Sequence, residues 1–224
     1  MGSGKHPGSL EGTDGAMAPM VYVVDDDESI RISLSGLLSS VGLRVQTFGS
    51  SEDFLAFPKD DVPNCVILDV RLRGKSGLAC QAELTADKVR MPVVFMTGHG
   101  DVGMAVKAMK AGALDFFTKP FREQDILDAV EHALARDKDR LAAERSAAAL
   151  RGCYNSLTSR EQDVMNFVVA GLMNKQIATE MGLSEVTVKV HRGNVMKKMM
   201  VRSVADLVRK AEILGLLQTP VEFA

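Results

Sequence analysis

Between residues 21 and 118 the chain repeats one pattern, in which a short apolar run is followed by an amphipathic segment. Each run has the length and composition of a strand that is buried on both faces. The segment after the first run carries Ile30, Leu34 and Leu37 at helical spacing, and strands that alternate with such helices pair in parallel. The pattern therefore predicts an α/β doubly wound domain with a five-stranded parallel sheet, whose strands lie at 21–24, 43–47, 65–68, 92–96 and 115–118.

Polar side chains come directly after four of these five runs. Ligands of doubly wound sheets bind beyond the carboxyl ends of the strands, so these side chains are candidates for one site. Carboxylates that are brought together repel one another unless a hard cation such as Mg²⁺ lies between them. Taken alone, Asp69 fits a turn as well as a chemical site. The candidates are Asp25, Asp26 and Asp27 after the first run, Asp69 after the third, Thr97 after the fourth and Lys119 after the fifth.

The last third of the chain has the pattern of a helix-turn-helix unit. Thr158 and Glu161 have the spacing of a capping box that opens a helix. Two further helices are predicted at 174–181 and 185–199, joined by a short turn that contains Gly182. In such units the second helix enters the major groove of DNA. Its core face is predicted to carry Val188, Val195 and Met199, and its opposite face Lys189, Val190, Gly193, Asn194 and Lys197.

Charge separates the two halves of the chain. Residues 21–136 hold 17 acidic and 13 basic side chains, whereas residues 154–224 hold 7 acidic and 9 basic ones. The acidic half is excluded as a nucleic-acid binder, and the basic half qualifies only if its cations cluster on one face. Four Lys or Arg residues against one Glu between positions 185 and 198 provide such a cluster.

The remaining segments indicate a leader and a helical linker. Residues 1–19 resemble an expression leader or tag, and they lack the apolar core of a signal peptide. Residues 137–155 are rich in Ala and in charged side chains, so they should continue the preceding helix, with Gly152 as the first predicted stop. The heptad spacing of Leu134, Leu141 and Ala148 leaves a dimer seam open as the alternative to a solvated spacer.

The composition also bears on compartment. No apolar run approaches the roughly 20 residues that a membrane-spanning helix needs. The three cysteines match neither a disulfide framework nor the paired spacing of a zinc site; they are Cys65, Cys80 and Cys153. We therefore expect a cytoplasmic protein with no membrane partner.

Four motifs of the first domain, in their order and spacing, resemble the receiver domain of two-component response regulators, which has a flavodoxin-like (CheY-like) fold. The motifs are Val-Val-Asp-Asp-Asp at 23–27, Leu-Asp at 68–69, Met-Thr-Gly at 96–98 and Lys-Pro-Phe at 119–121. The resemblance implies that Asp69 takes a phosphoryl group from the phosphohistidine of a sensor histidine kinase and forms an acyl phosphate. It also implies that the peptide bond between Lys119 and Pro120 is cis.

The resemblance further implies a Mg²⁺ site. Asp26 would bind the ion directly and Asp25 mainly through water, while Asp69 and the backbone carbonyl of Arg71 would complete the site. Arg73 departs from the proline that many receivers have at its position, which predicts a more basic loop after the phosphoacceptor.

By the same resemblance, the phosphoryl group acts on a switch. Lys119 would neutralise it and Thr97 would hydrogen-bond to it. The added charge would draw Thr97 inward and vacate space for the ring of Phe116. The face that would then remodel is a dimerisation face in many relatives, and it comprises residues 101–111, 115–118 and 122–135.

The second domain resembles the LuxR-type DNA-binding domain over about residues 156–215. The motifs are Leu-Thr-Ser-Arg-Glu at 157–161, Gly-Leu-Met-Asn-Lys-Gln-Ile-Ala at 171–178 and Val-Thr-Val-Lys-Val-His-Arg at 186–192. The resemblance makes Lys189 and Val190 the candidate contacts to base edges, whereas Lys198 is expected to be a solvated surface charge. Candidates for phosphate or sugar contacts are Lys175, Thr187, His191, Asn194 and Lys197.

Together the two resemblances predict a phosphorylation-controlled transcription regulator of the FixJ and NarL group. Its predicted parts are a receiver at 20–136, a linker at 137–155 and a DNA-binding domain at 156–224. The expected cofactor is Mg²⁺ or another divalent cation. The expected partners are a sensor histidine kinase, double-stranded operator DNA, RNA polymerase and, after phosphorylation, a second copy of the chain.

Two alternatives stay open at this point. One is a DNA-binding regulator that works without phosphorylation. The other is a Mg²⁺-dependent aspartyl phosphatase, which would need a second Asp two residues beyond the nucleophile, where this chain has Arg71. We expect no enzymatic activity other than self-phosphorylation and autodephosphorylation at Asp69.

Overall fold

The five apolar runs form the strands of a single parallel sheet. The computed structural model describes residues 18–98 and 102–216. The strands are β1 (Met20–Val24), β2 (Arg44–Phe48), β3 (Asn64–Asp69), β4 (Val93–Thr97) and β5 (Asp115–Thr118). Their order across the sheet is β2-β1-β3-β4-β5, and all pairs are parallel. The predicted doubly wound sheet is therefore confirmed, and each strand end lies within one residue of its predicted position.

The side chains of the strands alternate between two apolar cores, one on each face of the sheet. On β1, Val21 and Val23 lie in one core, whereas Tyr22 and Val24 lie in the other. Every residue of β1, β3 and β4 is buried. A strand that is covered on both faces has no solvent-facing positions, which explains why these sequences are continuous apolar runs.

Helices cover both faces of the sheet. They are α1 (Glu28–Ser40), α2 (Ser51–Ala56), α3 (Gly77–Ala86), α4 (Val102–Lys110) and α5 (Glu123–Asn155). Leu34 of α1 and Ile126 of α5 pack in the core of one face, and Phe54 of α2, Cys80 of α3 and Ala108 of α4 pack in the core of the other. No helix among the described residues is long and apolar enough to cross a bilayer.

A fully buried carboxylate on α5 binds the amino end of β3. Asp137 is 0% exposed. It accepts a hydrogen bond from the backbone N–H of Asn64 at 2.9 Å and one from Nε of Arg140 at 2.7 Å. Leu134, one turn earlier, belongs to the core beside the sheet. This part of α5 is therefore bound to the first of two compact units, and the boundary between the units along the chain falls between Leu141 and Ala142.

The predicted helix stop at Gly152 is wrong, because α5 continues to Asn155. One exposed glycine costs a helix only about 1 kcal/mol relative to alanine, and Leu150 just before it is buried in the core of the second unit. The helix ends at the next polar turn, where the backbone N–H of Ser156 donates to Gly152 O at 3.1 Å and its hydroxyl donates to Cys153 O at 2.6 Å.

Up to residue 216, where the described part of the chain ends, the second unit contains four short helices after the end of α5. They are α6 (Ser159–Val169), α7 (Asn174–Met181), α8 (Glu185–Lys198) and α9 (Val204–Ile213). The capping box of Thr158 and Glu161 at the start of α6 is present. The turn after α7 uses Gly182 in the left-handed region, with φ of 63°, which glycine adopts without steric cost. The predicted helix-turn-helix is therefore present.

Candidate functional site

Three carboxylates meet at the carboxyl edge of the sheet. Asp25 follows β1, Asp26 comes next, and Asp69 is the last residue of β3. Their oxygens lie within 4.8 Å of one another. Since β1 and β3 are hydrogen-bonded neighbours with Val24 opposite Leu68, the sheet itself brings these carboxylates together. Asp25 is 0% exposed and Asp69 is 5% exposed.

Lys119 joins two of the three carboxylates. It follows β5, and its Nζ lies 2.5 Å from Asp25 Oδ2 and 2.7 Å from Asp69 Oδ2. Burial raises the pKa of Asp25 above its usual value, and the hydrogen bond from Lys119 opposes that rise. Burial alone would lower the pKa of Lys119, but its hydrogen bonds to Asp25 and Asp69 outweigh this effect and raise the pKa. The lysine is therefore held as a positive charge beside Asp69.

The backbone orients the carboxylates after β1 and β3 in the same way. Asp25 Oδ1 accepts from the N–H of Asp27 at 2.9 Å, and Asp69 Oδ1 accepts from the N–H of Arg71 at 2.9 Å. Asp27, which was among the candidates, instead caps α1 by accepting from the N–H of Ser29 at 2.8 Å. The three-carboxylate set fits a hard divalent cation, which prefers oxygen ligands.

The two predicted switch residues lie on neighbouring strands. Thr97 is the last residue of β4 and is 0% exposed, and its carbonyl accepts from the N–H of Lys119 at 2.7 Å. Phe116 lies opposite Phe95 in the β4–β5 register and is half-buried against the core that holds α2 and α3. The peptide bond between Lys119 and Pro120 is cis.

The sequence did not predict two close contacts near this site. Arg73 Nε forms an ion pair with Asp26 Oδ2 at 2.9 Å, although only the basic character of its loop was predicted. Gly77, the first residue of α3, packs so closely on β3 that an added Cβ would lie 2.2 Å from Asp69 O. A glycine next to the Asp69 loop was the signal available for the second residue, whereas nothing in the sequence pairs position 73 with position 26.

The second helix of the helix-turn-helix unit has the predicted two faces. Val188, Val195 and Met199 are each 0% exposed and form part of the core of the second unit. The opposite face is exposed and carries Lys189, Val190, Gly193, Asn194 and Lys197. Lys175, on α7, is exposed as well. These exposed side chains are available to DNA, and their individual contacts stay predictions.

Two other candidate contacts are less open. Thr187 is half-buried, and its hydroxyl lies 2.8 Å from the hydroxyl of Ser184, the N-cap of α8. His191 is half-buried, and its Nδ1 is buried without a hydrogen-bond partner among the described residues. Val186 was not singled out from the sequence, but it is 73% exposed one turn before Val190 on the same face.

The prediction that Lys198 is a solvated surface charge is wrong. Its Nζ donates to Glu161 at 2.6 Å and to the carbonyl of Ser156 at 3.1 Å. The hydrogen bond from Lys198, followed by that from the backbone of Thr158, lowers the pKa of Glu161 to about 2. Lys198 therefore has a structural role, since it links the end of α8 to the start of α6.

Comparisons with known proteins agree with the structures of both the sheet-containing unit and the helix-turn-helix unit. The response regulator receiver domain family matches residues 21–131, and the luxR family of bacterial regulatory proteins matches residues 155–211. Nodulation protein W of Bradyrhizobium diazoefficiens is 52% identical over 204 residues, which cover 91% of this chain and 90% of that protein. The chain belongs to the response regulators. It is a transcriptional response regulator of a two-component system, as the sequence predicted.

Other relatives and solved structures of response regulators support this assignment. The transcriptional regulatory protein FixJ of Rhizobium meliloti (strain 1021) is 43% identical over 194 residues, which cover 85% of this chain and 94% of that protein. The solved structure of the response regulator StyR superposes with a TM-score of 0.81 at 48% identity, and the match covers 87% of this chain and 98% of StyR. This response regulator thus combines a CheY-like receiver with a helical LuxR-type domain.

Proposed function

We propose that Asp69 of this response regulator accepts a phosphoryl group from the phosphohistidine of a sensor kinase, and that the phosphorylated form dimerises and binds its operator. The observation that carries the proposal is the position of Asp69. Its carboxylate ends a buried strand, shares the edge of the sheet with Asp25 and Asp26, and contacts Lys119 at 2.7 Å. An ordinary turn residue would need none of these neighbours.

The transfer requires charge control at Asp69. A carboxylate oxygen of Asp69 attacks phosphorus and the bond from phosphorus to the imidazole nitrogen breaks. The histidine ring carries a proton on its other nitrogen, so it leaves with the bonding pair as neutral imidazole. Asp25, Asp26, Asp69 and the backbone carbonyl of Arg71 would hold Mg²⁺, which supplies positive charge to the transferring phosphoryl oxygens. Lys119 exchanges its contact with Asp69 Oδ2 for a phosphoryl oxygen.

The signal then passes to Thr97 and Phe116. The new acyl phosphate carries strong acceptor oxygens, and the Thr97 hydroxyl donates to one of them. The shift of Thr97 opens space that the half-buried ring of Phe116 occupies. Because Phe116 lies in β5, which packs against α4, the rearrangement favours self-association through this face.

DNA binding belongs to the second unit. Lys189 and Val190 contact base edges, while Lys175, Thr187, His191, Asn194 and Lys197 contact phosphates or sugars. One helix-turn-helix makes few contacts, so a phosphorylated dimer that spans two half-sites gains affinity. This function places the protein with DNA in the bacterial cytoplasm, and RNA polymerase is the further partner of the bound dimer.

Incubation with acetyl phosphate and Mg²⁺, followed by intact-mass measurement, tests the proposal. The wild-type protein should gain one phosphoryl group, which chelation of the metal should prevent. Asp69→Asn should keep the fold, as judged by its circular dichroism spectrum, and gain no phosphoryl group. No adduct on wild type, or an undiminished adduct on the variant, would contradict the assignment of Asp69.

A further inference from the structure

Arg73 forms an ion pair with Asp26, the most exposed carboxylate of the acidic cluster formed by Asp25, Asp26 and Asp69. Its Nε lies 2.9 Å from Asp26 Oδ2. The three carboxylates are therefore faced by two side-chain cations in the described residues, Lys119 on Asp25 and Asp69, and Arg73 on Asp26. Lys119 therefore pairs with Asp25 and Asp69, whereas Asp26 pairs with Arg73.

The two cations differ in how firmly they are held. The side chain of Lys119 is 17% exposed and contacts two carboxylates, whereas the side chain of Arg73 is 89% exposed and makes one contact. An exposed ion pair of this kind is weak and is screened by salt. Arg73 can therefore leave Asp26 without disturbing the packing around it, whereas Lys119 could leave the site only by giving up its contacts with both Asp25 and Asp69.

We propose that Arg73 is a displaceable counter-ion that competes with Mg²⁺ for Asp26 and so sets the Mg²⁺ concentration at which the receiver loads. This inference rests on the proposed function, in which Asp26 is a direct ligand of the ion. The guanidinium neutralises Asp26 while the metal is absent, and it must leave that oxygen before Mg²⁺ binds there. Arg73 thus acts as a positioning residue and tunes the metal affinity.

The loop also supplies a matched control. Lys75 carries the same charge two residues away, but its Nζ pairs with Glu83 at 2.7 Å instead of with the acidic cluster. A general loss of positive charge from the loop affects both positions. Competition at Asp26 is specific to position 73.

Mg²⁺ titration of the ¹⁵N-labelled full chain, followed by backbone amide signals, measures the affinity without any phosphoryl transfer. Arg73→Ala should bind Mg²⁺ about two- to fivefold more tightly than wild type at low salt, the range expected from loss of an exposed ion pair. The gain should shrink between about 0.02 M and about 0.5 M NaCl, because salt screens the pair in wild type. Arg73→Lys should fall between the two, and Lys75→Ala should match wild type.

The outcomes separate the two proposals. Equal affinities of wild type and Arg73→Ala at low salt, or an equal gain in Lys75→Ala, would overturn the role of Arg73 and leave the metal site intact. Absence of saturable Mg²⁺ binding in both wild type and Arg73→Ala would instead overturn the metal site of the proposed function.

Discussion

Gly77 illustrates how a single residue without a side chain supports Asp69. It begins α3, and its N–H donates to Val70 O at 3.0 Å. A Cβ at this position would lie 2.2 Å from the carbonyl oxygen of Asp69 and 3.2 Å from Cγ of Leu68. The first of these neighbours is backbone, so the contact cannot be relieved by a change of rotamer. The backbone of Asp69 therefore requires glycine here.

We expect Gly77→Ala to lower the free energy of unfolding by about 1–3 kcal/mol, the usual range for overpacking a core. Phosphorylation by acetyl phosphate should also slow, because the backbone that carries Asp69 must shift. A Cβ added at Gly36 in α1 would meet no atom of the described residues within 4 Å, so Gly36→Ala should stabilise by up to about 1 kcal/mol. Urea denaturation of both variants is the measurement, and a loss in Gly36→Ala equal to that in Gly77→Ala would refute the explanation.

Among single residues, the sequence correctly predicted the positions of those that the sheet topology determines. Asp25, Asp69 and Lys119 each follow or end a strand, and parallel strands bring their carboxyl ends to one edge. Arg73 and Lys198 were missed or misjudged because their partners, Asp26 and Glu161, lie 47 and 37 residues away. No periodic pattern encodes such pairs, since they depend on how separate segments meet.

At the level of single helices, the start of α6 is stabilised by the ionised carboxylate of Glu161, which acid would neutralise. Glu161 completes the capping box and pairs with Lys198 at 2.6 Å, and its pKa is lowered from 4.5 to about 2. A group whose pKa is lower in the folded state stabilises the fold above its unfolded pKa. This contribution is present at neutral pH and is lost as the pH falls from about 4.5 towards about 2.

Glu161→Gln keeps a residue that can cap but removes the charge. We expect a loss of about 1–3 kcal/mol at neutral pH, the range for a hydrogen bond to a charged group. The difference from wild type should narrow below about pH 4.5. Urea denaturation across this pH range checks the expectation, with Asp163→Asn, an exposed change of charge on the same helix, as the control. A difference that stays constant down to about pH 3 would contradict it.

The contacts proposed for helix α8 can be tested by comparing a residue expected to contact bases with one expected to contact phosphates. Lys189→Ala should weaken binding to the tightest duplex selected from a random pool by about 10- to 100-fold, and binding to random duplex much less. Lys197→Ala should weaken both similarly and reduce the salt dependence by about one charge. Fluorescence anisotropy over a range of NaCl concentrations provides the comparison. Equal losses on both duplexes for Lys189→Ala would make it a phosphate contact.

The bounds of the helices and strands were predicted more accurately than the contacts of individual side chains. Helix α7 and strand β5 have the predicted bounds, because caps and turns on both sides define their ends. Helix α5 was misjudged at Gly152, since a local propensity of about 1 kcal/mol decides little when Leu150 is anchored in a core. Burial of a neighbouring residue outweighed the local signal.

For the whole molecule, phosphorylation should change the oligomeric state. Helix α4 exposes three apolar side chains, Val102 at 81%, Val106 at 44% and Met109 at 46%, and large exposed apolar residues are costly unless a partner covers them. In light scattering after chromatography, the acetyl-phosphate-treated protein should shift towards a dimer. Asp69→Asn should not shift.

Substitution of the apolar residues provides the second part of this test. Val106→Glu should reduce dimer formation while it leaves phosphorylation of Asp69 unchanged, because a charge buried in the interface is unfavourable. Ile32→Glu, on α1 at a site with 66% exposure, is the control and should dimerise as wild type. Equal dimerisation of the two variants would exclude α4 as the interface.

The buried Asp137 has a practical consequence for dissecting the protein. Asn64 and Asp69 are the first and last residues of β3, so the strand that carries Asp69 is anchored at its other end by a carboxylate of α5. A receiver fragment that stops at residue 136 keeps the core residue Leu134 but lacks this carboxylate, which leaves the N–H of Asn64 unpaired. We expect the free energy of unfolding of this fragment to be about 1–3 kcal/mol lower than that of a fragment that extends through Leu141. The shorter fragment should therefore unfold at a lower temperature. Thermal unfolding of the two fragments would decide where the folding unit ends.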